Sequence, residues 1–158
     1  MKMEIERKFL VVDDAWRAEV FDGLVCEQGY ITSGTNDVTI RVRRMGGKGY
    51  LTLKGPTEGV SRSELEYEIP ADEADFMLKT FCGDRIVSKT RYVLKQGTLC
   101  WEIDEFYGAN AGLIMAEIEL ESEAQTFGKP QWLGEEVSHD SRYFNACLAL
   151  HPVSSWGA

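Results

Sequence analysis

Long apolar runs are missing from this 158-residue chain. No stretch approaches the ~18 consecutive apolar residues of a membrane-spanning helix, so no helical span is expected. Histidine is scarce, with only His139 and His151; both read as surface residues, and without paired Cys/His spacing a zinc site has little to be made from. The four cysteines, Cys26, Cys82, Cys100 and Cys147, stand far apart with no C-x-x-C pair. That pattern points to reduced thiols in the cytoplasm rather than a disulfide framework. The start, MKMEIERKFLVV, carries charge where a signal peptide would have an unbroken apolar core. Positive charge is also short: Lys plus Arg is 17 against 26 Asp plus Glu, a formal net charge of −9. Nucleic-acid and anionic-membrane binding run on basic surface, so neither partner is expected. Taken at face value, −9 also argues against a very anionic small ligand, but net charge does not say where the charges sit.

What is present is a period of two. The length predicts one domain over residues 1–158, large enough for a proper core. Apolar and polar residues alternate in eight segments, at 3–12, 25–33, 37–45, 49–55, 60–69, 85–94, 98–107 and 113–121. Gly34 with Asn36 and Asp37, Gly46 with Gly47, Gly55-Pro56 with Gly59, Gln96-Gly97, and Gly108 to Gly112 supply turn chemistry between them. The short breaks predict antiparallel neighbours. Three stretches read as helix: 15–20 after Asp13 and Asp14, 71–82 between Pro70 and Gly83, and 141–150 capped by Asp140 or Ser141. Residues 132–137 read as one more short extended piece.

The polar face is unusual because it is ionisable and sorted by sign. One parity offers Glu4, Glu6 and Lys8 on the first strand, Thr39, Arg41 and Arg43 on the third, and Thr52 and Lys54 on the fourth. The fifth gives Arg62, Glu64, Glu66 and Glu68, and the sixth Arg85, Lys89 and Arg91. The seventh gives Glu102 and Asp104, and the eighth Glu117, Glu119 and Glu121. The opposite parity is apolar, as in Ile5, Phe9, Ile40, Val42, Leu51, Leu53, Trp101, Ile103 and Ile118. One such pair alone would read as a solvated face. A whole set is harder to treat so, because like charges opposed across strands destabilise a sheet. Acidic strands that hold cations and basic strands that hold a polyanion would explain the sorting.

Eight antiparallel strands can close into a barrel, which also removes exposed edges. With the charged parity inward, the fold is a mainly β closed eight-stranded antiparallel barrel, a tunnel with a charged lumen and an apolar outside covered by short helices. The lumen set is Lys8, Arg41, Arg43, Lys54, Arg62, Lys89 and Arg91 with Glu4, Glu6, Glu64, Glu66, Glu102, Asp104, Glu117 and Glu119, a formal −1. One or two Mg²⁺ ions would turn it positive and suit a triphosphate chain. Trp16, Trp101, Trp132, Phe76 and Phe81 read as covering core, and Tyr30 as core or hairpin packing ahead of a hydroxyl at the tunnel mouth.

Glu4-x-Glu6-x-Lys8 at the N-terminus, followed by RVRR, LTLK, SRSELEYEI, SKTRY, WEIDEF, AEIELES and GEEVSHDSRYFN, resembles the CYTH superfamily, also called triphosphate tunnel metalloenzymes. The similarity is closest to the short bacterial members that act as inorganic triphosphatases. The resemblance implies divalent metal, Mg²⁺ or Mn²⁺, on Glu4, Glu6, Glu117 and Glu119, with Asp104, Glu102, Glu64 and Glu66 as further carboxylates. It implies triphosphate binding by Lys8, Arg41, Arg43, Lys54, Lys89 and Arg91, with Arg62, and by Arg142 in a C-terminal region that closes one tunnel end in relatives. Glu68 falls outside the tunnel mouth. Lys8, Lys89, Glu64 and Glu66 are the candidates for the catalytic proton work. Class IV adenylate cyclase, thiamine or nucleoside triphosphatase, and a non-catalytic polyphosphate-binding module are the competing functions, and a homodimer is left open.

Overall fold

The computed structural model describes residues 1–31 and 38–157. The last two residues of the 25–33 segment, the first of the 37–45 segment and the turn at Gly34, Asn36 and Asp37 lie outside the described residues. The strands are β1 (Lys2–Val11), β2 (Leu24–Tyr30), β3 (Thr39–Met45), β4 (Lys48–Lys54), β5 (Ser61–Ile69), β6 (Ile86–Gln96), β7 (Leu99–Phe106), β8 (Ile114–Glu119) and β9 (Leu133–Glu136). Two helices, α1 (Ala71–Thr80) and α2 (Asn145–Leu150), accompany short 3₁₀ turns at Ala15–Glu19, Gly108–Asn110, Ser141–Tyr143 and Val153–Ser155.

All pairings are antiparallel, in the order β5-β4-β3-β2-β6-β7-β8-β1, and β5 pairs back onto β1 to close the barrel. β1 serves two partners along one edge. β5 pairs with Lys2 to Ile5, and β9 takes over opposite Phe9 and Val11. The extended piece expected at 132–137 is thus a ninth strand outside the ring. Hairpins close tightly where the chain supplies glycine. Gly46, at φ +59°, turns β3 into β4 with a conformation that a side chain disfavours.

The apolar parity does face outward, and the chain covers much of it itself, leaving Val25 of β2 and Leu65 and Tyr67 of β5 exposed. α1 lays Ala74 and Leu78 onto Val42 and Cys82. The approach is close: a Cβ on Gly49 of β4 would meet the Ala74 methyl at 2.7 Å. A second core joins Phe9, Trp101, Ile103, Ile118 and Trp132 with Trp16 from the first 3₁₀ turn. A third differs in kind. Val87, Phe106 and Met115 share the inward parity of their strands, and they pack on Leu148 of α2 and on Val137. The lumen is therefore apolar at one end and charged beyond it.

Two expectations need correction. The 141–150 helix is broken at Phe144, whose extended backbone (ψ 136°) separates the 3₁₀ turn from α2. Phe76 and Phe81 do not cover core: they are 57% and 48% exposed and stack edge-to-face on each other at 5.6 Å. An amphipathic helix this short buries one narrow stripe, and Ala74 and Leu78 fill it.

Candidate active site

A cavity of about 400 Å³ lies inside the barrel, lined by residues from all eight ring strands and by Phe144, Asn145, Ala146 and Cys147. Its order around the ring turns sequence sorting into spatial sorting. The run β4-β3-β2-β6 forms a basic wall carrying Lys54, Arg41, Arg43, Lys89 and Arg91. The run β7-β8-β1-β5 forms an acidic wall with Glu102, Glu117, Glu119, Glu4, Glu6, Glu64 and Glu66. Lys2, Lys8 and Arg62 are the basic side chains on the acidic strands.

The basic wall holds cations in two states. Arg41 and Arg43 are each 7% exposed, and among the described residues neither has an acidic partner. Arg41 donates through Nη2 to Thr52 Oγ1 at 3.2 Å, and its buried Nε has no partner among the described residues. Arg43 Nε donates to Gln28 Oε1 at 3.0 Å. Burial, then the charges of Arg41 and Arg91, pushes the Arg43 pKa down. The other cations are paired. Lys54 reaches Glu4 at 3.0 Å and Glu64 at 3.3 Å. Lys89 donates to Asp104 at 2.8 Å and to Asn145 at 3.0 Å. Its burial, opposed by Asp104 and reinforced by Arg91 and Arg43, brings its pKa down to about 8. Arg91 forks onto Asp104 at 2.8 and 2.9 Å and also reaches Glu102 at 3.0 Å. Lys8 lies 3.5 Å from Glu117 and donates to the Tyr143 carbonyl at 3.3 Å.

On the acidic wall, like charges stand opposed across strands: Glu6 faces Glu119, and Glu102 faces Glu117. Burial would raise the Glu4 carboxyl, but its hydrogen bond with Glu64 and the Lys54 and Arg62 charges hold it down at about 2. Glu64 moves the other way, raised by burial and by sharing that bond with Glu4. Glu117, despite burial, is held at about 2 by Lys8 and Arg91. Glu119 pairs with Lys2, and Glu66 sits exposed at the rim. Glu6 has no ion pair or side-chain hydrogen bond among the described residues. Desolvation, then the Glu117 and Glu4 charges, raises it to about 7. No three carboxylates among the described residues form a ready-made metal cluster, since most lean onto cations. Glu6 is the donor left over, and a divalent cation there would offset the repulsion that raises it. The hard oxygen donors present fit such an ion.

Several sequence expectations land elsewhere. Arg142 does not line the cavity: its side chain is 63% exposed, bonded to Asp140 and set over the Trp156 ring. The break at Phe144 turns the following residues inward in its place. Asp104 shares the inward parity of Glu102 but is 1% exposed, covered by Lys89 and Arg91, which it pairs with, and it is not part of the cavity lining. Glu68, by contrast, is outside the tunnel as expected, paired with Lys48. Tyr30 faces the cavity, and its hydroxyl accepts from Gln28 at 2.8 Å. Gln28 and Asn145 were not singled out in the sequence. Both are neutral, so a search for charge passes over them. With Lys2 in and Asp104 out, the lining has eight basic and seven acidic side chains, a formal +1 rather than −1.

A closed barrel with facing cationic and carboxylate walls defines a charged tunnel. The chain belongs to the CYTH family, whose domain model matches residues 2–146. It is 44% identical over 156 residues to an inorganic triphosphatase of Acetivibrio thermocellus, covering 99% of both chains. It is 42% identical to an inorganic triphosphatase of Nitrosomonas europaea, covering 93% of this chain and 97% of that one. A crystal structure of an inorganic triphosphatase superposes with a TM-score of 0.67 at 37% identity, covering 95% of this chain and 96% of the other.

Proposed function

We propose that the tunnel binds an inorganic triphosphate between its two walls and hydrolyses a terminal phosphoanhydride bond, giving pyrophosphate and phosphate. The protein is a phosphoanhydride hydrolase, as its relatives over nearly the whole length are. The observation that carries the substrate is the pair Arg41 and Arg43. A buried guanidinium without counter-charge is costly, and two neighbouring ones invite a bound anion. Phosphate oxygens match the guanidinium fork and supply the missing charge.

Glu4, Glu6, Glu117 and Glu119, with Glu102 beside them, are the residues that would hold Mg²⁺ or Mn²⁺. Bound there, such an ion would neutralise phosphate charge and lower the pKa of water. The chain's own residues do the rest. Arg41, Arg43 and Lys54 hold the phosphate chain in place, and Lys8 and Arg91 offset charge that develops on the leaving group. Lys89, with a pKa of about 8, exchanges a proton near neutral pH more readily than an ordinary lysine. Glu64 and Glu66 are the carboxylates available to take the proton of the attacking water, and Glu64 is the one enclosed in the tunnel.

Among the described residues, the rings lining the cavity are Tyr30 and Phe144, and Lys8 Nζ already sits 5.4 Å over Phe144. That leaves little aromatic surface for a nucleobase or a thiamine ring, which supports the inorganic substrate over the cyclase and thiamine readings. We place the protein in the cytoplasm on its four free cysteines. Phosphate release from tripolyphosphate by the purified protein, with and without Mg²⁺ or Mn²⁺, tests the reading. Release only with metal is expected, and no release with either ion overturns it.

A further inference from the structure

Gln28 is 0% exposed on β2, the one ring strand with no charged side chain facing inward. All four of its amide bonding positions are used. Oε1 accepts from Arg43 Nε at 3.0 Å and from the Cys26 thiol at 3.5 Å. Nε2 donates to the Tyr30 hydroxyl at 2.8 Å and to Asn145 Oδ1 at 3.1 Å. The same Asn145 Oδ1 accepts from Lys89 Nζ at 3.0 Å. Two amides thus link Arg43 to Lys89 across β2, and the second belongs to the first residue of α2, which also lines the cavity.

We propose that Gln28 and Asn145 are positioning residues: a neutral amide pair that holds Arg43 and Lys89 against the tunnel wall without adding negative charge to that of Asp104, which already pairs with Lys89. A carboxylate at either place would accept the same bonds but spend positive charge that the triphosphate needs. A hydroxyl or an apolar side chain would keep the charge and lose the aim. The amide alone does both, because it accepts from a cation while remaining neutral. Asn145 Nδ2 has no protein partner among the described residues, so an acidic replacement would also put an oxygen where a donor lines the tunnel. The C-terminal segment therefore contributes to the site through Asn145, where the sequence pointed to Arg142.

This inference rests on the tunnel being the triphosphate site, and turnover by the unaltered protein is the separate control for that reading. The test is on Asn145, which is only half buried and so tolerates change better than Gln28. Asn145→Asp and Asn145→Ala are assayed for kcat, KM and Tm with tripolyphosphate and divalent metal. Asn145→Asp keeps Tm and raises KM roughly tenfold or more, because a unit charge a few ångströms from the ligand acts at low effective dielectric. Asn145→Ala lowers kcat/KM roughly tenfold to a hundredfold, the cost of one bond to a charged group, and Asn145→Gln restores part of it. An unchanged KM in Asn145→Asp, with the parent active, overturns the requirement for neutrality. Unchanged kcat/KM in Asn145→Ala overturns the positioning role.

Discussion

Arg41 and Glu6 are alike in one respect: neither has an ion-pair partner among the described residues, and in the proposed function a ligand supplies each with one. For Arg41 the consequence is a conflict between stability and function. Replacing a buried, uncompensated cation by an apolar group of similar length relieves desolvation. Arg41→Met is therefore expected to keep or raise Tm while KM for tripolyphosphate rises roughly tenfold or more; a fall in Tm with KM intact would contradict it. For Glu6 the consequence is a pH dependence. Its folded pKa, about 7, lies above the usual carboxyl value, so the folded chain holds this proton more tightly than the unfolded one. The stabilising effect is present in acid and is lost as pH rises through 7. A metal held there, as proposed, would compete for the same oxygens, so half-saturation should need roughly tenfold more metal for each pH unit below 7. Titrating activity with metal at several pH values checks this, and Glu6→Gln should flatten the dependence. The charged residues that line the cavity were legible in the sequence as alternation with sorted sign. Gln28, Asn145 and Tyr30 were not, because a polar or aromatic residue in a strand or helix has many ordinary uses, and only contacts across 117 residues of chain give Gln28 and Asn145 theirs.

At the scale of elements, the strands were readable because period two survives whether a strand is buried on one face or both. The segments 49–55 and 60–69 differ from β4 and β5 by one residue at each shifted end. Helices were less readable. The break at Phe144 carries no proline or glycine to announce it, and packing of Leu148 into the apolar end of the lumen fixes where α2 starts. α1 depends on the bare surface of Gly49, over which Ala74 sits. Gly49→Val forces the helix away from β4 and is expected to cost about 1–3 kcal/mol, the usual penalty of overpacking. Thermal denaturation checks the loss. Because α1 lies outside the barrel, kcat at a temperature where the variant is folded should stay near that of the parent; loss of kcat without loss of Tm would mean that α1 shapes the tunnel directly.

For the molecule as a whole, a net −9 coexists with a lining of +1, and the closed ring keeps the two apart. A polyanion that binds only the folded barrel should stabilise it. With metal and tripolyphosphate at a hundredfold its Kd, the gain is ~2.7 kcal/mol, which corresponds to a Tm rise on the order of 5–10 °C for a chain of this size. Arg41→Met should lose most of that rise, and an equal rise in the variant would place the ligand elsewhere. The sequence by itself determined that the strands alternate, that one parity is charged and that each strand favours one sign, because these follow from local order along the chain. Only the tertiary structure decided that the basic strands are neighbours and the acidic strands are neighbours, since strand order in a barrel is set by hairpin closure and by β5 returning to β1. The same closure decided which charges are paired and which stand alone. Those without an ion-pair partner among the described residues, Arg41, Arg43 and Glu6, are the ones on which the proposed phosphate and metal sites rest.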